Sequence, residues 1–238
     1  MSEHPQDLPI ERLNGLSAEE LLRTAIAHYG QRLAIGTSFQ HGGLAVVQMA
    51  LAIDRSVRVF TIDTGRLHQE TIDHVAAVEQ HFGIAVERYR PDPIIVERMV
   101  KQHGPFLFFD SVAKRQYCCA IRKDAPNRAA LANTDCWITG LRRTTPDLAQ
   151  AEYVVRDGRR FLRIAPVIDW STERVEAFIA QHGIPVNPLY AAGYRSIGCQ
   201  ICTTPVRPHE APRAGRWRWE QAGESKECGL HFQHGDGI

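Results

Sequence analysis

Six cysteines stand among the 238 residues, and their spacing holds most of the chain's evident chemistry. Two are adjacent, Cys118-Cys119, and two form Cys199-x-x-Cys202. Four thiolates of this kind hold zinc or an iron–sulfur cluster. Neighbouring residues struggle to aim both sulfurs at one tetrahedral ion, whereas in a cubane each cysteine meets a different iron. The adjacent pair therefore favours a 4Fe–4S cluster. Taken alone, Cys118 and Cys119 fit two small buried apolar residues about as well; the distal pair moves the balance to ligation. Cys136, beside Trp137 and Ile138, reads as a core residue. Cys228 lies in Lys226-Glu227-Cys228-Gly229-Leu230-His231, too polar a setting for packing. A tail thiol that reaches a site and swings out to a reductant suits a nucleophile, with thiolate character supplied by nearby cations. An exposed, incidental cysteine is the plainer alternative.

Two loops add groups that hold oxyanions. Gly36-Thr37-Ser38-Phe39-Gln40-His41-Gly42-Gly43 follows a short apolar run and opens a helix, so its amides and the Ser38 hydroxyl can meet phosphate or sulfate. The Gly-Lys-Ser/Thr of a Walker A loop is missing. Asp63-Thr64-Gly65-Arg66 ends the next strand and reads as a second nucleotide contact or as an ordinary helix cap. Arg122-Lys123, Arg142-Arg143, Arg207, Arg213, Arg216 and Arg218 follow or flank the cysteines. Guanidinium forks suit phosphate and sulfate; solvated surface charges are the bland alternative.

The elements that must position these groups alternate along the chain. Strands are predicted over Leu33–Thr37, Val57–Ile62, Ala85–Tyr89 and Cys136–Thr139, and a hairpin of Glu152–Val155 with Phe161–Ile164 around Asp157-Gly158. A capping box at Ser17–Glu20 opens a first helix. Further helices are predicted over Gly42–Ala52, His68–Phe82, Ile94–Gln102 and Ser171–His182. The alternation predicts an α/β fold with a mostly parallel sheet covered on both faces and ligands at the strands' carboxyl ends. Residues 1–205 read as this domain, and residues 206–238, rich in Pro, Arg, Trp and Gly, as a loosely packed, flexible tail.

Composition narrows the class. Lys and Arg number 28 against 27 Asp and Glu, so gross charge does not suggest nucleic-acid binding. No apolar run approaches membrane-spanning length, and residues 1–10 lack an apolar signal core, so a cytoplasmic protein is expected. In a reducing compartment six cysteines do not read as a disulfide framework.

At these residues the sequence resembles the assimilatory adenylyl-sulfate reductases, relatives of the phosphoadenylyl-sulfate reductases. The resemblance rests on Cys118-Cys119, Cys199–Cys202, Glu227–His231, Arg122-Lys123, Arg213-Ala-Gly-Arg216-Trp217, Asp63–Arg66 and Gly140-Leu-Arg142-Arg143. The first loop departs from it, reading Ser38-Phe39-Gln40-His41-Gly42-Gly43 where many relatives carry an acidic residue after a small one. The resemblance implies a Rossmann-like, adenine nucleotide alpha hydrolase-like fold and thiol-dependent reduction of adenosine 5′-phosphosulfate. It implies Cys228 as nucleophile and substrate contacts from Ser38, Gly42, Gly43, Asp63, Arg66, Lys123, Arg142, Arg143, Arg213 and Arg216. It further implies a 4Fe–4S cluster on Cys118, Cys119, Cys199 and Cys202, thioredoxin or glutaredoxin as reductant, and a homo-oligomer. The competing expectations are a phosphoadenylyl-sulfate or dual-specificity reductase, an ATP-dependent enzyme of the same fold, and a non-catalytic zinc-ribbon module.

Overall fold

The computed structural model describes residues 8–13, 15–143, 149, 152–157 and 161–220. Cys228 and the Glu227–His231 motif lie outside the described residues.

Six strands form one sheet in the order β3-β2-β1-β4-β6-β5, comprising β1 (Leu33–Gly36), β2 (Arg58–Ile62), β3 (Glu87–Tyr89), β4 (Cys136–Thr139), β5 (Val154–Asp157) and β6 (Phe161–Ile164). All neighbours run parallel except β5 and β6, the expected hairpin. Alternate residues of a strand face opposite sides of a sheet, and here both sides are dry. Leu33, Ile35, Val59, Cys136 and Ile138 enter a large core with α1 (Ile10–Leu13), α2 (Ala18–Tyr29), α3 (His41–Ile53), α4 (Gln69–Phe82) and α8 (Thr172–Gln181). Ala34, Phe60 and Trp137 point the other way, onto Ala130 and Leu131 at the end of α7 (Ala125–Ala130). Cys136 is fully buried, as a core residue should be, and burial pushes its thiol pKa up.

Local sequence explains the helix ends. Ser17 and Glu20 form the reciprocal capping box of α2. Gly83 closes α4 in the left-handed conformation. Asp92 caps α5 (Pro93–His103), and Ser111 caps α6 (Val112–Cys119).

After β3 the chain runs through α5, α6 and α7 before entering β4 on the far side of β1. The order therefore reverses between β1 and β4, leaving a crevice beyond their carboxyl ends. The same crossover carries the adjacent cysteines. Cys118 and Cys119 end α6, and the chain continues as a π-helical stretch, Ala120–Asp124.

Within residues 206–220 the chain is held at single points. Trp217 is fully buried, its amide donates to the Cys202 carbonyl, and Thr203 and Arg216 form a β-bridge. The segment lacks periodicity because it packs by single anchors, Arg216 and Trp217, rather than along a helix or strand face.

Candidate functional site

The crevice between β1 and β4 is a cleft of about 1170 Å³ including its open mouth. Its floor is Gly36 and Thr37 at the end of β1, Thr139 and Gly140 at the end of β4, and the first turn of α3. Glycine is required here by close approach. A Cβ on Gly42 would lie 2.2 Å from the Gly140 carbonyl oxygen, and one on Gly140 would lie 2.2 Å from the Gly43 nitrogen. The two backbones touch, which fixes α3 against β4.

Gln40 occupies the N-cap position of α3 without capping it. Its amide nitrogen donates to Ser38 Oγ at 2.9 Å, and its oxygen accepts from the Ile197 amide at 3.0 Å. The first-turn amides of α3 therefore remain available to a ligand, at the positive end of the helix. Arg142, Arg195 and Arg213 also line the cleft, with Thr172 and Glu176 of α8. Arg142 donates to the Trp170 carbonyl at 3.2 Å, and Arg213 reaches Ser196 Oγ at 3.5 Å. The His41 ring stacks on Tyr190, centroids 4.1 Å apart and planes 19° from parallel. Burial, then the charges of Arg142 and Arg195, hold the His41 pKa down at about 4, so it is neutral near pH 7. Burial likewise raises Tyr190 to about 12.

A second, smaller cavity lies beside the first. Cys118, Cys119, Cys199 and Cys202 all line it, with Arg66, Arg115, Arg122, Lys123, Phe108 and Trp217. The loop after β2 holds the Cys199–Cys202 turn in place. Leu67 bridges to Cys199, the Gln200 amide donates to the Arg66 carbonyl at 2.8 Å, and Thr64 Oγ1 lies 3.2 Å from Cys199 Sγ. Desolvation raises the thiol pKa of Cys118, and that of Cys202 to about 11. The surrounding cations are themselves buried: Arg115, Arg122 and Lys123 are each at most 9% exposed. Arg115 is balanced by Glu220. Arg66 Nη1 and Arg122 Nε are buried without a hydrogen-bond partner among the described residues. Such a lining is expensive unless an anionic group is there to be neutralised. Among the described residues, no three His, Cys, Asp or Glu side chains converge as the ligands of a metal ion.

Residues 195–199 link the linings of the two cavities. Ser196 accepts from Arg213 and Arg216, Ile197 is held by Gln40, and Cys199 follows two residues later.

Of the substrate contacts expected from sequence, Ser38, Gly42, Gly43, Arg142 and Arg213 line the cleft. Arg66 and Lys123 line the cysteine cavity instead. Asp63 accepts from the Gly65 amide and pairs with Arg90. Arg143 pairs with Asp169, and Arg216 lies buried over the Trp217 ring. Sequence reasoning did not find Glu176, Tyr190, Arg195 or Ser196. Arg195, three residues before Gly198-Cys199, was the one with a signal, a cation close to a ligand motif.

The family model for the phosphoadenosine phosphosulfate reductase domain matches residues 32–205. An adenosine 5′-phosphosulfate reductase of Allochromatium vinosum is 45% identical over 179 residues, covering 74% of this chain and 69% of that protein. One of Burkholderia cepacia is 36% identical over 227 residues, covering 94% and 87%. Among solved structures, the phosphate complex of phosphoadenylyl-sulfate (PAPS) reductase from Candida auris superposes with a TM-score of 0.69 at 24% identity. It covers 84% of this chain and all of that one, a likeness of fold.

Proposed function

The chain belongs to the phosphoadenosine phosphosulfate reductase family, and from that membership we propose that it reduces adenosine 5′-phosphosulfate to sulfite and AMP. The observation that carries this reading is an arginine-lined cleft at the strand switch point, abutting a cavity lined by four cysteines. The names of the relatives support the substrate.

In this reading the nucleotide lies in the cleft, its anionic end on Ser38, the Gly42 and Gly43 amides, Arg142 and Arg213, with Arg195 as a further cation. Asp63, Arg66, Lys123, Arg143 and Arg216 act from behind this layer. Cys118, Cys119, Cys199 and Cys202 would hold a 4Fe–4S cluster. Their shared cavity and the buried guanidiniums around it fit a cofactor whose four thiolates leave it net negative. When bound, the cluster supplies structural cross-linking and a fixed charge beside the reacting sulfur. Lys123 and Arg66, at the same wall, balance that charge and orient the substrate's anionic end.

Cys228, delivered by the segment after Glu220, attacks the sulfate sulfur as thiolate. The S–Cys bond forms, the S–O bond to phosphate breaks, and AMP leaves with the electron pair, its charge stabilised by the arginines. The enzyme then carries S-sulfocysteine. A thiol of thioredoxin or glutaredoxin attacks the Cys228 sulfur and expels sulfite. The partner's second thiol resolves the mixed disulfide, so one dithiol supplies both electrons. No helix among the described residues is long and apolar enough to cross a membrane, and the thiol chemistry suits the reducing environment of the cytoplasm.

The test is sulfite release from adenosine 5′-phosphosulfate with thioredoxin, and iron content on the same anaerobic sample. Cys228→Ser should retain iron and release no sulfite. Stoichiometric zinc without iron would overturn the cofactor, and turnover by Cys228→Ser at the wild-type rate would overturn the mechanism.

A further inference from the structure

Helix α4 contributes no side chain to the lining of the cleft, yet it holds two of the cleft's walls. Thr71 and His74 are three residues apart and share one face of the helix. Thr71 Oγ1 accepts from Nδ2 of the buried Asn187 at 3.0 Å, and Asn187 Oδ1 accepts from the Leu189 amide. That fixes the short turn Pro188–Tyr190, whose tyrosine stacks on His41. One helical turn on, His74 is 3% exposed, with Nε2 3.2 Å from the Phe39 carbonyl oxygen.

Phe39 is the unusual residue of the loop. Its φ is 53°, one of two positive values at non-glycine residues among those described, and its side chain is wholly buried. A bulky L-residue in the left-handed region stays there only when its surroundings hold it. Two hydrogen bonds do so. The Phe39 amide donates to Thr37 Oγ1 at 2.9 Å, and the Phe39 carbonyl takes the bond from His74. A carbonyl only accepts, so the His74 ring carries a proton on Nε2; burial, which lowers its pKa, leaves the ring neutral. The peptide so held sits between Ser38 and the first turn of α3.

We infer that His74 is a positioning residue for nucleotide binding, holding the 37–43 loop through Phe39 in the conformation that presents Ser38 and the α3 amides to the cleft. The inference rests on the cleft being the nucleotide site. Without the bond, the loop relaxes towards ordinary φ values. The binding-competent fraction then falls, and the apparent Kd rises by the same factor.

The experiment is calorimetric titration of the full-length protein with AMP, which needs no turnover. His74→Gln keeps an amide N–H at the height of Nε2; His74→Leu fills the space without a donor. His74→Leu should raise the AMP Kd about tenfold, equivalent to ~1.4 kcal/mol, and His74→Gln should stay within about threefold of wild type. Should His74→Leu not fold, His74→Met, whose flexible side chain adapts to the gap, carries the same expectation. A folded Leu or Met variant with wild-type affinity overturns the inference, as does a Gln variant as weak as either. Wild-type protein that fails to bind AMP overturns the cleft assignment itself, and this inference with it.

Discussion

Removing the carboxylate of Glu220 should loosen the cysteine cavity far more than a surface charge change would. Glu220 is the last described residue before the segment that carries Cys228. Its side chain is 4% exposed, against 1% for Arg115. The pair is bidentate, with Nε to Oε1 at 2.6 Å and Nη2 to Oε2 at 3.3 Å. The guanidinium also stacks on Trp217, 4.1 Å from the ring centroid, and lines the cysteine cavity. Breaking one side of a buried pair costs about 3–5 kcal/mol, because the remaining charge stays desolvated. Glu220→Gln preserves volume and one acceptor, which recovers roughly one hydrogen bond of ~1 kcal/mol. The expected loss is therefore about 2–4 kcal/mol, a large part of the ~5–15 kcal/mol that holds a domain together. Anaerobic urea unfolding reads it as a midpoint shift of roughly 1 M at unchanged slope, for slopes of ~2–3 kcal/mol per M. Arg115→Met should cost a similar amount. The double change Arg115→Met with Glu220→Gln should cost less than the two singles together by about 2 kcal/mol, since it leaves neither charge behind. A Glu220→Gln loss under about 0.5 kcal/mol, the range of an exposed pair, would refute the reasoning, as would strict additivity in the double variant.

The remaining expectations use the same contacts. His41 binds its proton far less readily folded, with a pKa near 4, than at its usual 6.5, so the unfolded chain takes up more protons below pH 6.5. Stability from this group is present above pH 6.5 and lost as pH falls towards 4, by up to about 3 kcal/mol, and His41→Asn should flatten that part of a urea-midpoint series against pH. Gly42→Ala drives a methyl into the Gly140 carbonyl, so the α3–β4 contact must open. It should lower the urea midpoint by the equivalent of ~1–3 kcal/mol and weaken AMP binding in the same calorimetric assay. Cys199→Ser should lose iron by elemental analysis, whereas Cys136→Ala, in the core away from the cysteine cavity, should keep it and lose only stability.

The scaffold was legible because its signals are local. Short apolar runs ending in Gly or Thr, and helices bounded by Ser17, Gly83 or Ser171, place the strand ends that form the cleft. The four cysteines were also legible, as residue types at telling spacings, and the fold gathers them on one cavity. What the sequence hid is what distance brings together. Glu176 looks like any polar residue on the exposed side of an amphipathic helix, and Tyr190 like part of a Pro-initiated turn, until α8 and that turn close over α3. Asp63–Arg66 reads as a nucleotide loop by position, but Thr64 and Arg66 face the cysteines, because Leu67 pairs with Cys199. The crossover holding Cys118-Cys119 gave no helical prediction. Its α6 is eight residues long and passes directly into a π-helical turn, so no single period runs through it.

In the proposed mechanism sulfur passes from the nucleotide to Cys228. The most direct measurement is to mix the iron-loaded protein, without reductant, with adenosine 5′-phosphosulfate labelled in its sulfate sulfur, then map the label by peptide mass spectrometry. The mechanism predicts one AMP released per label retained, with the label on the Cys228 peptide and discharged as sulfite when thioredoxin is added. Label that stays in the nucleotide, or that settles on Cys118, Cys119, Cys199 or Cys202, would contradict it.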